Sequence, residues 1–541
     1  MLNRFRLPAA LLLLSALCPA QDYVDTVVER ARKEFDVPGI AVAIVKDGSV
    51  VLAKGYGVRK QGETAPVTAQ SLFRIASNSK AFTTAALAML VDQRRIAWDD
   101  PVTEHMPGFQ LYDPYVTREM TIRDLLTHRS GLGLGAGDLM FFPPGDLGRD
   151  DIVKRLRFIK PATSFRSAYA YDNLLYIVAG QLIPAVTGQS WDEFVRARIF
   201  TPLGMTNTST DVAALKKGKD VATPHNTLSG KLEALPQEDM DTSAPAGAIV
   251  SCAEDLAKWM IVQLNGGAFG PAGPNAPVAP VGPPGAAGRT PRLFSAVQAR
   301  EMWTAQTILP IEDLPKDAPA AFAAIQPNFH AYGLGWGLSD YRGKRLVGHT
   351  GSLSGFVSRT ALIPELKLGI VILTNQEETA AHSAIANTIV DHYLGVPDAD
   401  WVAAYAARVK IQRAEGEEAV KKAAGQRNPN TKPALPLAAY AGRYRDAWYG
   451  DIRIEEHSGK LSLYFTHTPD LAGDLEHWQY DTFVARWKNR TLDADAYVTF
   501  ALKPDGSIDE MRMKAVSPLT DFSFDFQDLL FRPVAINAAP K

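Results

Sequence analysis

Apolar residues near the start of the chain follow two different periods. In DYVDTVVERARKEF (22–35) they recur three and four positions apart, which predicts an amphipathic helix. In GIAVAIVKDGSVVLAKGYGV (39–58) two apolar runs flank Asp47 and Gly48, and such a pair between two runs predicts a β-hairpin. The pattern therefore indicates a helix followed by two adjacent strands.

Further strands are predicted far along the chain. Apolar or alternating runs lie at 332–341, 344–351, 355–365 and 368–375, and a helical pattern follows from Glu377 to Tyr393. Helical material fills the interval between these strands and the first hairpin. The order favours one antiparallel sheet assembled from distant segments, flanked by helices and interrupted by an all-helical part, which is an α+β fold.

The pattern changes again after this larger domain, which we place at 21–395. Residues 396–436 contain a long helical stretch and a Pro-containing tail, and are predicted to be a helical linker. Residues 437–541 show short alternating runs interrupted by Gly and Asp, which predicts a small, antiparallel, barrel-like β domain. The Gly-, Pro- and Ala-rich stretch 265–291 buries too little apolar surface to order itself, and is predicted to be a flexible insertion.

The N-terminal segment 1–20 has the three parts of a secretory signal. Two arginines precede an apolar run at 7–17, and the sequence CPA ends at Ala20. The run is too short for a permanent membrane anchor, so we expect cleavage and a periplasmic or secreted protein without a stable membrane span. A buried N-terminal helix and a lipoprotein anchored through Cys18 remain alternatives.

Composition and charge exclude several classes of partner. The chain has 541 residues, 46% of them hydrophobic, which predicts an ordered protein of more than one domain. A formal net charge of −2 gives no general attraction to nucleic acid, which is therefore not an expected partner. Cleavage after position 20 would leave Cys252 as the only cysteine, and hence no intramolecular disulfide. The oligomeric state does not follow from the sequence.

Candidate chemistry begins at FRIASNSKAFTTAAL (73–87). Lys80 follows Ser77 by three positions at the start of a predicted helix, so both side chains lie on one face. A serine hydroxyl becomes a good nucleophile when a neighbouring base removes its proton, and burial can lower the pKa of lysine far enough to make it that base. The alternative is that Ser77 only caps the helix.

Two further segments carry groups that suit the same chemistry. Tyr171 and Asn173 precede an apolar helix in SAYAYDNLLYIVAG: a phenol can relay protons, and an amide can orient a lysine or a carbonyl. GHTGSLSGF (348–356) lies on or beside a predicted edge strand. Its glycines allow close approach of substrate, and its main-chain N–H groups can donate to a reacting carbonyl.

Taken together, these motifs resemble a known family. The ordered set SNSK, YDN and HTG, with LLTHRSGL, PLGMTNT and PAGAIVSCAEDLAKW between them, is similar to the penicillin-recognising serine hydrolases. The most similar branch contains class C β-lactamases, D-stereospecific peptidases and esterases. The resemblance covers roughly Val24 to Leu394 and implies a β-lactamase/transpeptidase-like fold, often followed by a β-barrel like the one predicted here.

The resemblance also implies roles for the catalytic side chains. Ser77 would attack the carbonyl and form an acyl-enzyme, while Lys80 and Tyr171 would share the general-base and general-acid steps. Asn173 would hydrogen-bond the lysine or the substrate amide. No metal and no cofactor is implied, and none of the ten histidines forms an HExxH pattern.

For the HTG segment the resemblance implies binding of substrate. His349, Thr350 and Gly351 would form a strand along which substrate lies, and the backbone N–H groups of Ser77 and Ser352 would form the oxyanion hole. Efficient β-lactamases of this branch resemble KTG here. His349 is mostly neutral at pH 7, so binding of an anionic group should weaken. The alternative is that His349 is an incidental strand residue with no part in substrate binding.

The sequence therefore favours an exported hydrolase of peptides, including those with D-residues, or of esters. A class C-like β-lactamase and a non-catalytic penicillin- or peptidoglycan-binding protein are the alternatives. The C-terminal domain would either cover the cleft and restrict substrate size, or serve packing without contact to the site.

Overall fold

A computed structural model describes residues 19–228, 230–270, 290–397 and 399–534. Most of the predicted signal segment and the centre of the predicted insertion, at 271–289, lie outside these ranges. Among the residues described, no helix combines the length and the apolar character needed to cross a bilayer.

The helices and strands follow the predicted order. The helices are α1 (Pro19–Glu34), α2 (Ser79–Asp92), α3 (Val102–His105), α4 (Pro114–Glu119), α5 (Arg149–Arg155), α6 (Leu174–Thr187), α7 (Trp191–Val195), α8 (Thr201–Leu203), α9 (Ala213–Lys217), α10 (Ala253–Leu264), α11 (Ala296–Met302), α12 (Thr379–Leu394) and α13 (Trp401–Gly425). The strands before α13 are β1 (Gly39–Lys46), β2 (Ser49–Gly57), β3 (Phe73–Arg74), β4 (His225–Leu228), β5 (Lys231–Ala234), β6 (Val250–Ser251), β7 (Thr307–Ile308), β8 (His330–Tyr332), β9 (Gly337–Tyr341), β10 (Lys344–Leu353), β11 (Phe356–Ile363) and β12 (Leu368–Thr374).

One antiparallel sheet joins the two ends of the larger domain, as predicted. Its strand order is β2-β1-β12-β11-β10-β9-β8-β7, and β1 pairs along its length with β12, so that Ile40 faces Thr374. Alternate residues of β1 enter different cores: Ala41 and Ala43 pack towards α2 and α10, whereas Val42 packs towards α1 and α12. Burial of both faces explains why β1 has no polar side chain before Lys46, its last residue.

The helical part between β2 and β7 is built around α2. This helix is buried on nearly all sides, and its small residues allow close neighbours. Phe82 stacks on Trp259 of α10 with ring centroids 4.1 Å apart, and Thr83 Oγ1 donates to Pro245 O at 2.7 Å. The N-terminus of α2 thus reaches the sheet near β10 and β11 from a fixed direction.

The prediction of an edge strand for HTG is wrong. β10 lies between β9 and β11, because β7, β8 and β9 continue the sheet beyond it. However, the pairing with β9 ends at Gly348 opposite Gly337, whereas the pairing with β11 continues to Leu353. Within the described ranges, residues 349–353 therefore have no strand partner on the β9 side.

The predicted C-terminal barrel is present and closed. Its strands are β13 (Gly442–Asp446), β14 (Gly450–His457), β15 (Lys460–Phe465), β16 (Ala472–Gln479), β17 (Thr482–Trp487), β18 (Ala496–Leu502), β19 (Ile508–Ala515) and β20 (Leu530–Pro533). Each strand pairs antiparallel with the next, and β20 returns to β13. The alternating pattern of the sequence reflects side chains that point alternately into and out of the barrel.

The barrel docks against the helical part of the larger domain. The Arg155 guanidinium donates to the carbonyls of Trp448 and Tyr449 at 2.9 and 2.6 Å. His467 Nδ1 lies 2.7 Å from an oxygen of Asp146. A long loop at 516–529, between β19 and β20, extends from the barrel towards the start of α2 and reaches the cleft described next.

Candidate active site

Ser77 lies in a tight helical turn, Ala76–Asn78, that leads directly into α2. The approach to this turn is fixed by the pairing of β3 with β6 and by Ile75 N, which donates to Ile249 O at 2.9 Å. Ala76 has φ +45°, a left-handed conformation that costs free energy in a residue with a Cβ. Ser77 is thus held on a strained turn at the start of a buried helix.

Gly351 allows β10 to lie against this turn. A Cβ at position 351 would come within 2.6 Å of Ile75 O and 2.8 Å of Ala76 Cβ. Distances below 3 Å are not tolerated without movement of the backbone, so a larger residue would push β10 away from Ser77. The glycine of the HTG motif therefore sets the distance between strand and nucleophile.

Lys80 is fully buried beneath Ser77. Its Nζ lies 3.0 Å from Ser77 Oγ, 2.7 Å from Asn173 Oδ1 and 2.9 Å from Ala246 O. Burial disfavours the ammonium form and lowers the pKa of Lys80 to about 7, although the carboxylates of Asp138 and Asp172 act in the opposite direction. A large share of Lys80 is therefore neutral near neutral pH.

The acceptors around Lys80 decide where its lone pair points. Asn173 Oδ1 and Ala246 O can only accept hydrogen bonds, so they take the two N–H groups of the neutral amine. The remaining neighbour is Ser77 Oγ, which can donate. In the neutral state the lone pair of Lys80 therefore faces the hydroxyl of Ser77.

The ring of Tyr171 packs against the amine of Lys80. Its ring centroid lies 4.7 Å from Lys80 Nζ, and that of Tyr176 lies 5.2 Å away. The Tyr171 hydroxyl neighbours Ser77, yet it closes no hydrogen bond of normal geometry with any described residue. Burial raises the pKa of Tyr171 well above 10, so its phenol carries a proton at neutral pH.

Asn173 is held at both ends of its amide. Oδ1 accepts from Lys80, and Nδ2 donates to Asp138 Oδ2 at 2.7 Å. Burial raises the pKa of Asp138 to about 8, and its Oδ1 has no hydrogen-bond partner among the described residues. The same Oδ2 also accepts from Ser523 Oγ at 2.9 Å, so a residue of the barrel contacts this network.

His349 is held in a single neutral form. Nδ1 lies 2.5 Å from Thr350 O and must donate to it, because a carbonyl only accepts. Nε2 therefore accepts from the Tyr332 hydroxyl, 2.9 Å away. Burial, with Lys80 nearby, lowers the pKa of His349 to about 3, so it brings no positive charge to the cleft.

The hairpin that ends β10 determines which amides of this strand are free. Ser354 and Gly355 both have positive φ, as in a type I′ turn, and Leu353 pairs with Phe356 across it. Because hydrogen-bonded and non-bonded pairs alternate in antiparallel strands, the N–H groups of Thr350 and Ser352 point away from β11. They face the side on which β9 has already ended.

These groups share one cleft of about 470 Å³. The predicted site residues that line it are Ser77, Tyr171, Asn173, His349, Thr350, Gly351 and Ser352, and Lys80 lies directly behind Ser77. The barrel loop contributes Asp521, Phe522 and Ser523 to the same wall. The alternative in which the barrel makes no contact with the site is therefore wrong.

Three parts of the site were not predicted from the sequence: Asp138, Tyr332 and the barrel loop at 521–523. Asp138 had a signal, since it is an acidic residue in the apolar, glycine-rich stretch GLGLGAGDLM. Tyr332 opens a predicted strand, and nothing local marks it as the partner of His349. The barrel loop at 521–523 has no motif, because its place in the cleft depends on how two domains dock.

Comparison with known proteins gives two family matches. The family model described as Beta-lactamase matches residues 24–394, and a domain of unknown function, DUF3471, matches 426–533. The chain is 32% identical over 503 residues to an unguisins hydrolase of Aspergillus violaceofuscus, covering 88% of this chain and 85% of that protein. It is 28% identical over 372 residues to protein flp of Staphylococcus aureus, covering 66% and 63% of the two chains.

Solved structures share the fold. An octameric penicillin-binding protein homologue from Pyrococcus abyssi aligns with 95% of this chain and 100% of its own, with a TM-score of 0.56 and 21% identity. A class C β-lactamase from Rhodobacter sphaeroides aligns with 69% of this chain and 99% of its own, with a TM-score of 0.51 and 19% identity.

Proposed function

The chain belongs to the β-lactamase family of serine hydrolases, and on that premise we propose that Ser77 forms an acyl-enzyme with esters or peptides, including peptides with D-residues. The observation that carries this proposal is the 3.0 Å contact between Lys80 Nζ and Ser77 Oγ. The amine is buried, its two N–H groups are taken by acceptors, and its pKa is lowered to about 7. A base in this state can accept the proton of a serine hydroxyl.

In the acylation step, Ser77 Oγ attacks the carbonyl carbon while its proton passes to Lys80 Nζ. The new C–O bond forms as the carbonyl π electrons move to oxygen. The N–H groups of Ser77 and Ser352 would donate to that oxyanion, the first at the start of α2 and the second on the free side of β10. Donors fixed before the reaction stabilise the developing charge without reorganising.

In the next step the tetrahedral intermediate breaks its bond to the leaving group. The alkoxide or amine leaves with a proton, and the protonated Tyr171 phenol beside Ser77 is placed to supply it and to recover one from the Lys80 ammonium. Tyr171 then acts as an acid and relay, and Lys80 as the base. Water repeats the sequence on the acyl-enzyme and releases the acid.

The substrate preference follows from position 349. A neutral His349, engaged at both ring nitrogens, offers neither charge nor a free donor to a substrate carboxylate. Arg359 also lines the cleft, but it pairs across the strands with Thr350, and its guanidinium donates to Ser383 Oγ at 3.2 Å. We therefore propose uncharged esters or peptide segments at this subsite, ahead of β-lactams that carry a carboxylate there.

The relatives support turnover over binding alone. A protein named as a hydrolase matches 88% of this chain at 32% identity. A class C-like β-lactamase is the second candidate, favoured by the fold shared with such an enzyme. A non-catalytic penicillin-binding role is the third.

The test is intact mass spectrometry together with turnover of a penicillin, an activated ester and a D-alanine-ended peptide. Wild type is compared with Ser77→Ala and with Ser49→Ala, a matched change at an exposed serine of the β1–β2 hairpin. We expect adduct and turnover in wild type and Ser49→Ala, with neither in Ser77→Ala. The ester or the peptide should be the faster substrate.

Other outcomes contradict specific parts of the proposal. Turnover that survives Ser77→Ala would reject Ser77 as nucleophile. A penicillin hydrolysed faster than the ester and the peptide would favour the β-lactamase. A stable penicillin adduct without turnover of any compound would favour the binding protein.

A further inference from the structure

A chain of hydrogen bonds leads from the barrel to the proposed base. Ser523 Oγ donates to Asp138 Oδ2 at 2.9 Å, and Asn173 Nδ2 donates to the same oxygen at 2.7 Å. The other end of the Asn173 amide accepts from Lys80 Nζ at 2.7 Å. All four side chains are buried, so each of these bonds is shielded from water.

The loop that carries Ser523 is fixed on both sides of it. The Asp525 carboxylate accepts from the backbone N–H groups of Gly137 and Leu139, at 2.5 and 3.2 Å. Before it, the Phe522 carbonyl packs so tightly on Gly135 that a Cβ there would lie 2.7 Å from its oxygen. Ser523 therefore has a defined position opposite Asp138 and does not sample the cleft freely.

This series of hydrogen bonds fixes the orientation of the Asn173 amide. An amide can be turned so that oxygen and nitrogen exchange places, and in that orientation an N–H would face Lys80. The acceptor Asp138 Oδ2 prevents the exchange by requiring a donor at Nδ2. Since Asp138 Oδ1 has no partner, Ser523 provides the second of only two donors to this carboxyl group within the described residues.

We propose that Ser523 of the barrel is a positioning residue of the catalytic centre, acting through Asp138 and Asn173 on Lys80. The inference rests on the proposed function, because it presumes that Lys80 is the base. It assigns the barrel a part in the catalytic step, in addition to its part in the wall of the cleft.

The charges around Asp138 give the proposal a second readout. Lys80, Asp172 and the likewise buried Asp525 act on its carboxyl group, and burial raises its pKa to about 8. The Ser523 hydrogen bond lowers that pKa, so its loss would keep Asp138 protonated over a wider range. A neutral Asp138 stabilises the Lys80 ammonium less, and the pKa of Lys80 should then fall further.

The test compares Ser523→Ala with Ser523→Thr, which keeps the hydroxyl, and with Ser507→Ala at an exposed turn of the barrel. The substrate is p-nitrophenyl acetate, which is too small to depend on the outer wall. For Ser523→Ala we expect kcat to fall about 10- to 100-fold with KM almost unchanged, since misplacement of a reacting group costs rate. The acid limb of the pH profile should move to lower pH, and Ser523→Thr should restore most of kcat.

The proposal is overturned if Ser523→Ala keeps the kcat and the pH midpoint of wild type. It is also overturned if KM rises with substrate size while kcat for the small ester is unchanged, as a mere wall would give. Ser77→Ala, measured in parallel, decides the proposed function separately: loss of turnover there, with Ser523→Ala unaffected, rejects only the role of Ser523.

A second variant covers the case in which Ser523→Ala does not fold. Asp138→Asn keeps an acceptor oxygen for Ser523 and Asn173 but cannot ionise. We expect a folded protein, shown by its thermal transition, whose acid limb lies at lower pH than in wild type. An unmoved midpoint together with unchanged kcat would count against the chain of positioning contacts.

Discussion

Two regions meet at the cleft, and they differ in how the sequence encodes them. The turn around Ser77 and the strand β10 carry short motifs, and each motif residue lies at a fixed point of a helix or strand. The loop at 521–523 reaches the same cleft from a separate barrel without any motif. The cleft thus combines residues that a sequence motif identifies with residues that reach it only because the barrel docks there.

The largest expected effect lies on the motif side, at Lys80. Lys80→Met would fill much of the same space but leave Ser77 without a base. We expect ester turnover to fall about 10³-fold, within the usual range for loss of a general base. Stopped-flow acylation measures this directly, and an acylation rate within tenfold of wild type would show that another group takes the proton.

The pH profile of the wild type sharpens the same point. The neutral amine is the active form, so kcat/KM should rise with pH and level off above the lowered pKa of about 7. Below that value activity should fall about tenfold per pH unit. His349, with a pKa of about 3, should add no step of its own between pH 5 and 8, so His349→Gln should keep every inflection of the wild-type profile in that range; an inflection lost in this variant would contradict the neutral state of His349.

A smaller effect is expected at Gly351. Gly351→Ala would place a Cβ within 2.6 Å of Ile75 O and displace β10 from the nucleophile. We expect a loss of about 1–3 kcal/mol in the free energy of unfolding and about tenfold in kcat. Gly425→Ala, at a site with open space, is the control and should be neutral in both denaturation and kinetics.

The smallest effect concerns the barrel side of the comparison. Phe522→Ala would remove a ring that lines the cleft, where it lies edge-on to Tyr171 with centroids 6.0 Å apart. We expect kcat/KM for a small ester to change less than about threefold, and that for bulky peptides to rise. Equal changes for both, measured across a peptide length series, would mean that the loop does not select by size.

The sequence predicted the elements whose pattern is local. The first hairpin, the long sheet strands and the barrel strands were predicted from their apolar patterns. The prediction succeeded because burial of one or both faces of a strand sets which of its positions are apolar. The edge position of β10 was wrong, because β9 forms a hairpin with β10, and the short strands β8 and β7 extend the sheet beyond it. The motif residues were found by spacing and resemblance, whereas Asp138 and Ser523 meet across 385 residues and have no local pattern.

The pairing of β1 with β12 has a consequence for the order in which the chain can fold. Ile40 faces Thr374, 334 residues later in the sequence, so β1 has no β12 partner until most of the chain has been synthesised. The hydrogen bond from Ser523 to Asp138 can form only later still, because Ser523 lies near the C-terminus. A chain that ends after the larger domain would therefore have the complete sheet, but it would lack the Ser523 hydrogen bond to Asp138 that helps to position Lys80.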